Sequence, residues 1–494
     1  MAPRVSIVTP VFDPPLGAFL ACVDSVLAQT YPDWEWCLVD DCSTRPEVVE
    51  ALREVAGRDP RIRVQHRAQN GGIVAASNDA LALATGEFVA LLDHDDAIVP
   101  TGLAEVMQVL DAPGSERVDY LYTDESHVAA DGQVMSIFPK PAWSPERFRA
   151  SMYTCHLSVL RRSVVEAIGG FRPGYDGSQD HDLILRATEH IAASGRSVAH
   201  LPSVTYHWRH ITSSVSRATD TLSAAVRNGR QAVQDQCDRL GFDATVEYGP
   251  VPGTYRVVRH ALRDATVTVV VATRFEGAAR APYRLAVEAT VRSLEADVPN
   301  VRFLVAHPAS SPAELVGLVD SVLPPHWHRV PVPGTWSVAG AIDRALLLHP
   351  ADVVVSLAPG LTARTDCTPD WLGALVGLAL SPGAGAVGAL IADRDDVVLH
   401  AGWDVPRFRY DKLEGQRVGA PTSGNDLLIE RECTQVHLAA AAMTAANWRE
   451  AWHVAGSAGF AKAGERISGE LFRLGCRTLF TPYARFDRTV AIEF

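Results

Sequence analysis

Apolar runs and stripes of helical spacing alternate through the first hundred residues. Val5 to Pro10 is apolar and β-branched, then breaks at Pro10 into the loop residues Phe12, Asp13, Pro14 and Pro15. Ala18 to Gln29 sets Phe19, Cys22, Val23, Val26 and Leu27 on one helical stripe. Trp34 to Val39 predicts a second strand, ending in Asp40-Asp41-Cys42-Ser43. A helix over Pro46–Ala56 and a short strand over Ile62–Gln65 follow. Asn70-Gly71-Gly72 turns into a helix over Ile73–Leu83, and Phe88–Leu92 is a strand apolar enough to be buried on both faces. This alternation with short loops predicts an α/β fold with a doubly wound, mostly parallel, Rossmann-like sheet.

The strand at Phe88–Leu92 ends in three carboxylates, Asp93, Asp95 and Asp96. With Asp40 and Asp41 they fall on one carboxyl edge, where open α/β sheets bind ligands. Buried acids need a partner or a metal. Hard oxygen donors such as Asp93 and Asp95 suit Mn²⁺ or Mg²⁺, and those ions suit a diphosphate. A lone Asp-x-Asp is more often a solvated turn; here a second acidic strand end on the same edge favours a site. No Gly-x-Gly-x-x-Gly follows the first strand and there is no Gly-Lys-Ser/Thr loop. Dinucleotide and P-loop sites therefore lose their support, and acids with a divalent metal point to sugar nucleotides.

Two later features carry chemistry. Asp180 follows the loop Asp176-Gly177-Ser178 and precedes an amphipathic helix over Leu183–Ala187, where the helix N-terminus favours an ionised carboxylate. Asp180 or Asp182 could equally be a simple cap. His207 ends a strand over Ser203–Tyr206 and could complete a metal site or meet a diphosphate. Trp208 and Arg209 beside it are candidates for acceptor and phosphate contacts, and His210–Thr219, rich in Ser and Thr, for a lid.

Past residue 220 the pattern restarts. Leu222–Leu240 reads as a helix and Thr245–Val258 as paired strands around Gly249-Pro250-Val251-Pro252-Gly253. Val267–Thr273, Arg302–His307 and Val353–Gly360 then echo the first, second and fourth strands at a period of roughly 265 residues, which means a duplicated domain. The expected division is 1–220, a connector at 221–263, and a second copy at 264–494. In that copy Ala306-His307 and Ala358-Pro359-Gly360 replace the strand-end acids, Gly464–Ser468 has no aspartate, and Phe486 stands in place of a terminal histidine. The copy is expected to be folded but inactive, or to bind a saccharide without turnover.

Composition narrows the partners. The chain has 494 residues and a net charge of −13, so a nucleic-acid footprint is not expected. No apolar run reaches the ~18–20 residues of a membrane span. The N-terminus runs directly into a strand without a leader pattern, and eight cysteines form no Cys-x-x-Cys pair, so a reducing cytoplasm is the expected location.

Several phrases in order carry a family resemblance: Val8-Thr9-Pro10-Val11-Phe12-Asp13, Val39-Asp40-Asp41-Cys42-Ser43, Ala76-Ser77-Asn78-Asp79-Ala80-Leu81 and Leu91-Leu92-Asp93-His94-Asp95-Asp96. Tyr122-Thr123-Asp124-Glu125, Gly169-Gly170-Phe171-Arg172, Gln179-Asp180-His181-Asp182 and Tyr206-His207-Trp208-Arg209 continue the series. Residues 5–220 resemble the GT-A fold of family 2 inverting glycosyltransferases of bacterial surface-polysaccharide synthesis, rhamnosyltransferase-like enzymes of O-antigen assembly among them. The resemblance implies that Thr9, Pro10 and Asp13 lie under the nucleoside. One of Asp40 and Asp41, Asp41 by preference, should accept from the base, and Asn78 should border the cleft. Asp93 should hold the ribose or sugar side, Asp95 should be the principal metal ligand, and Asp180 the catalytic base. Asp124 and Glu125 should face the acceptor or donor sugar. Gln179 departs from the Glu that many relatives carry, while the Asp that should act as base is kept.

The expected function is metal-dependent inverting transfer of a hexose or deoxyhexose. The donor would be UDP-, dTDP- or GDP-linked, and the acceptor a glycan or lipid-linked molecule, with peripheral association at the cytoplasmic membrane face. The rival is a non-catalytic glycan-binding or scaffold protein of the same fold. A nucleotidyltransferase lacks a basic, Gly-rich phosphate loop near residue 10.

Overall fold

The computed structural model describes residues 3–210, 219–274, 280–294, 298–403, 413–422 and 424–490. The chain forms two compact units: one of Met1–Ser144, Ser151–Leu240 and Val251–Tyr255, the other of Pro145–Ala150, Gly241–Pro250 and Arg256–Phe494.

The first unit begins as β1 (Val5–Val11), α1 (Leu16–Leu27), β2 (Trp34–Asp40), α2 (Pro46–Arg58), β3 (Ile62–His66), α3 (Gly72–Leu83) and β4 (Phe88–Leu91). It continues with β5 (Ala97–Ile98), α4 (Gly102–Leu110), β6 (Val118–Val128) and β7 (Val134–Phe138). After α5 (Pro145–Ala150), which belongs to the second unit, come β8 (Ser158–Arg161), α6 (Arg162–Ala167), α7 (Gln179–Ala193), β9 (Ser197–Arg209) and α8 (Thr219–Arg239).

The sheet runs β3-β2-β1-β4-β8-β6-β9-β5, with β7 beside β6. β1 lies parallel between β2 and β4, Val5 opposite both Trp34 and Phe88. The apolar stripe of α1 packs as its spacing requires, with Phe19, Cys22, Val23 and Val26 all buried. Removing each such side chain from water contributes about 1.5–3 kcal/mol relative to leaving it exposed. The sheet is mixed rather than simply doubly wound. β8 runs antiparallel between β4 and β6, which are parallel to each other, and β5 and β7 are also reversed. Alternating strands and helices do not reveal the direction of a strand that enters the middle of a sheet from a long loop. That reversal brings the residues before β8 to the edge where β4 ends.

The second unit takes β10 (Ala244–Tyr248) and part of β11 (Tyr255–Arg259), which pair as a two-stranded sheet. Its main sheet uses β12 (Val267–Ala272), β13 (Val301–Pro308), β14 (His328–Val332), β15 (Val353–Leu357), β16 (Leu361–Ala363) and β17 (Ala384–Ala392). β18 (Val398–His400), β19 (Arg431–Cys433), β20 (Ala440–Thr444) and β21 (Arg477–Arg488) complete it. The order is β14-β13-β12-β15-β20-β17-β21-β16. Along this path it repeats the first sheet strand for strand, including the reversed strand, here β20, between β15 and β17, and adds β19 beside β21. The duplication read from three echoing strands therefore extends to the whole topology.

Candidate functional site

β4 closes with the Leu92 N–H donating to the Val8 carbonyl at 3.1 Å, and the acids follow. Asp96 is buried; its carboxylate accepts from the Tyr206 hydroxyl and the Arg209 N–H, each at 2.7 Å. The Arg209 guanidinium donates to the Asp95 carbonyl at 3.1 Å. The turn is thus tied to the end of β9, which leaves the carboxylates of Asp93 and Asp95 for other partners.

The sequence reading missed the next group. His156, two residues before β8, stacks on Tyr206 with ring centroids 4.6 Å apart. Its Nε2 lies 3.6 Å from Asp93 Oδ2 and its Nδ1 3.3 Å from Glu125 Oε2. Glu125 also accepts from the His156 N–H and from the Lys140 ammonium, each at 3.0 Å. Lys140 is fully buried and donates further to the carbonyls of Thr154, Cys155 and His156 at 3.3, 2.7 and 2.6 Å. The available signals were a lone lysine between Pro139 and Pro141 and a histidine just ahead of an apolar strand. Neither has a spacing that links it to Asp93.

Charge crowding defines the electrostatics. Burial pushes Asp96 up to about 8, with the charges of Asp93 and Asp95 adding to it against His156. Asp95 is also raised, by burial and then by Asp93, against the pull of His94. Desolvation would raise Asp93, but hydrogen bonding and charge from His156 outweigh it and hold Asp93 below its ordinary value. Burial opposes a charge on His156, yet Cys155, Asp93 and Glu125 keep it well above the usual imidazole range. Burial would raise Glu125 too, but Lys140, His127 and His156 hold it far below a normal carboxylate. Asp180 is pushed up to about 6 by burial and by Asp93, with His156 opposing.

These acids fit a divalent cation. Asp93, Asp96 and His156 each offer a ligand atom within 4.8 Å of the others. Both Asp96 oxygens already accept protein hydrogen bonds, so Asp93 and Asp95 are the better hard-oxygen donors, and a cation would relieve the repulsion that raises Asp95.

Asp180 lies in the first turn of α7, its carboxylate accepting from the Gln179 amide at 3.1 Å. The helix begins at Gln179, four residues earlier than the apolar pattern indicates, and no side chain caps it. Asp41 is buried and accepts from the Gly71 and Gly72 N–H groups and from Arg67. Gly72 holds φ +82°, a conformation that favours glycine, and this aims its N–H at Asp41. Asp40 accepts from the Ser43 N–H and pairs with His66, while Asp13 accepts from the Thr44 and Arg45 N–H groups. The Pro10 carbonyl lies 3.1 Å from His94 Nδ1.

Other expected site residues have structural partners. The Thr9 side chain is fully buried and its hydroxyl accepts from the Trp36 indole, because it sits on a strand covered on both faces. The Asn78 amide is engaged on both sides by the Phe171 main chain, clamping α3 to the loop after α6. Asp124 accepts from the Lys140 N–H and pairs with His200, so like Glu125 it is held inside the unit. His207 Nδ1 is paired with the Ser126 hydroxyl at 2.6 Å, and Trp208 meets His127 edge to face. In the loop expected as a lid, residues 211–218 lie outside the described residues.

The second sheet lacks these groups. Val5 pairs with Phe88 at the start of the first sheet and Val267 with Val353 in the second. Counting forward, Ala358, Pro359 and Gly360 take the places of Asp93, His94 and Asp95, and His307 takes that of Asp40.

Residues 6–169 match Glycosyl transferase family 2. Through this stretch the chain belongs to that family, and its two units are tandem GT-A-like domains, the second degenerate. A protein of Sinorhizobium fredii named "Uncharacterized protein y4gI" is 33% identical over 81% of this chain and 43% of its own length. The "O-antigen biosynthesis protein RfbC" of Myxococcus xanthus is 33% identical over 81% of this chain and 30% of its own. Both alignments cover 408 residues, more than the first unit holds, so the likeness runs into the second. The "Putative colanic acid biosynthesis glycosyl transferase WcaA" of Escherichia coli is 33% identical over 37% of this chain and 66% of its own. The chain spans less than half the length of the first two relatives.

Proposed function

We propose that the first unit is a metal-dependent, inverting glycosyltransferase acting in cell-surface polysaccharide synthesis. It would move a hexose or deoxyhexose from a UDP-, dTDP- or GDP-linked donor to a glycan or lipid-linked acceptor. The observation that carries the reading is the pair Asp93 and Asp95 at the end of β4 together with Asp180 in the first turn of α7, near enough for the charge of Asp93 to act on it. Family membership and an O-antigen biosynthesis relative support the class of reaction.

Asp93 and Asp95 would hold Mn²⁺ or Mg²⁺, which when bound offsets the charge of the diphosphate leaving group. Asp180 accepts the acceptor hydroxyl's proton as that oxygen attacks the anomeric carbon from the face opposite the diphosphate. A pKa near 6 suits this role, since the base is ionised at neutral pH yet basic enough to take the proton. Asp40, Asp41 and Asp13 shape the floor of the nucleotide side by ordering the loops that follow β1 and β2. The second unit, with Ala358-Pro359-Gly360 at its strand end, is a folded domain without this chemistry. Among the described residues no helix is long and apolar enough to cross a membrane.

The test is release of nucleoside diphosphate from a panel of UDP-, dTDP- and GDP-sugars, with Mn²⁺ present and after chelation. Metal-dependent release supports the reading. Binding of glycan without release from any donor would favour the scaffold alternative.

A further inference from the structure

We propose that Arg172 is a positioning residue for Asp180: its guanidinium ties α7 to α8 and thereby sets where the carboxylate stands. This rests on the reading of Asp180 as the base of a transferase. Asp180 lies in the first turn of α7, and no side chain caps that helix, so the loop before it places its start. Arg172 opens that loop. Its Nε donates to both oxygens of Asp182 at 3.1 Å, and its Nη2 donates to Asp182 and, at 2.9 Å, to Asp235 on α8. One planar fork thus joins two helices, a geometry that the point charge of a lysine does not reproduce.

The loop is fastened on both sides of this fork. On the α7 side Asp182 is fully buried and shared with Arg186, which donates to it at 2.9 Å and to the carbonyls of Ile168 and Gly170 at 2.8 and 2.7 Å. On the α8 side the Tyr175 ring lies 4.4 Å from the Arg172 guanidinium, and its hydroxyl donates to Asp235. The loop then runs along α8. The Asp176 carbonyl accepts from the Asn228 amide at 2.9 Å, and the Ser178 hydroxyl donates to the Ala225 carbonyl at 2.8 Å. Gly177 between them holds φ +79°, and a Cβ there would stand 2.8 Å from that of Ala225, so the backbone is pressed against the helix. α7 begins at the next residue after Ser178. Every partner in this network is drawn from residues 168–235, so it bears on the base and not on the acids that follow β4. A reacting group about 1 Å out of place can lose about a hundredfold in rate, and a base on an uncapped first turn depends on what holds that turn.

The experiment uses the full chain with Arg172→Gln, Arg172→Lys and Asp235→Asn, and Arg239→Gln as the control. Arg239 pairs with Glu189 at 2.6 Å, a second tie between the same two helices, about 13 Å further along α7 than Asp180. Mn²⁺ is titrated alone, then whichever of UDP, dTDP and GDP the parent binds best, and nucleoside-diphosphate release gives kcat. Arg172→Gln should lower kcat about 100-fold with both affinities within about threefold of the parent; Arg172→Lys and Asp235→Asn should lose about 10-fold. Arg239→Gln should keep the parent's kcat. In an Asp180→Asn background Arg172→Gln should cost nothing further, because both changes act through one group. A full additional loss in that background would overturn the proposal, as would equal losses in Arg172→Gln and Arg239→Gln, which would mean general loosening of the helix pair. Should Arg172→Gln not fold, Asp235→Asn decides, since its side chain is partly exposed: a lower kcat at unchanged affinity supports the link, and a parent-like kcat overturns it. A parent that turns over no donor would overturn the transferase reading itself, a result seen without any variant.

Discussion

The ammonium of Lys140 and the carboxylate of Glu125 form a buried ion pair at 3.0 Å, with the lysine side chain wholly removed from solvent. Neither charge has water to fall back on. Lys140→Met should therefore leave Glu125 short of its main counter-charge and unfasten three carbonyls, at a cost of roughly 3–5 kcal/mol. Urea denaturation followed by a probe in the first unit checks this. A change below about 1 kcal/mol would mean the pocket admits water.

Asp180→Asn should separate binding from chemistry. Donor and Mn²⁺ binding should persist, because Asp93 and Asp95 are untouched. Turnover should fall by roughly two to four orders of magnitude, the scale for losing a general base. Calorimetric titration and a nucleoside-diphosphate release assay on the same preparation distinguish this from a helix cap, whose loss would lower stability and leave the rate.

The pH dependence has a definite sign. Asp180 is raised from 3.8 to about 6, and the base works ionised, so kcat/KM should fall as pH drops through about 6. An ordinary carboxylate would keep the profile flat to near pH 4. Stability runs the other way. A raised folded pKa means the protonated form is favoured in the fold; its contribution is full below 3.8 and is lost as pH rises through about 6. Asp180→Asn should thus unfold no earlier than the parent at pH 7, and the thermal midpoints of the two should converge near pH 4.

Much of this edge could be read from sequence because it is local. Asp93, Asp95 and Asp96 follow one apolar strand, Asp40 and Asp41 end another, and a parallel βαβ arrangement must put both ends on the same side. Lys140 and His156 could not be placed that way. They lie on either side of α5, in a stretch with no regular period, and His156 comes to Asp93 because β8 enters the sheet reversed. Thr9 and Asn78 show the opposite limit. Their family phrases match, yet side-chain direction on a buried strand and on α3 engages them with Trp36 and Phe171.

Asp95→Ala should abolish metal-dependent donor binding while the fold survives. Burial and the charge of Asp93 raise this carboxyl, so its ionised form is a strained member of the cluster, and removing it relieves repulsion. The apo variant should melt at or slightly above the parent temperature. Nucleotide-sugar titration in Mn²⁺ that matches the parent would show that the metal sits elsewhere.

The last prediction concerns α5, which lies in sequence between β7 and β8 but belongs to the second unit. Glu146 on this helix is buried and pairs with Arg149 at 2.8 Å, with Arg259 at 2.5 Å and with Arg477 at 3.3 Å. Arg147 pairs with Asp426 and donates to the Gly424 carbonyl. A chain ending at residue 263 keeps Glu146, Arg147, Arg149 and Arg259 but loses Arg477, Asp426, Gly424 and Glu430, so buried charges lose part of their pairing. Such a truncation should be poorly soluble even though Asp93, Asp95 and Asp180 are all present. Glu146→Ala in the full chain isolates the cause: it takes one counter-charge from Arg259 and Arg477, which keep Glu430 and Glu432, and should cost the second unit about 1.5–3 kcal/mol. His307→Ala, at the place of Asp40 in the second sheet, should leave turnover of a short soluble acceptor near the parent rate. A soluble 1–263 chain that binds nucleotide sugar normally would show that α5 is dispensable to the first unit. Loss of donor binding on His307→Ala would show that the second unit holds a working site.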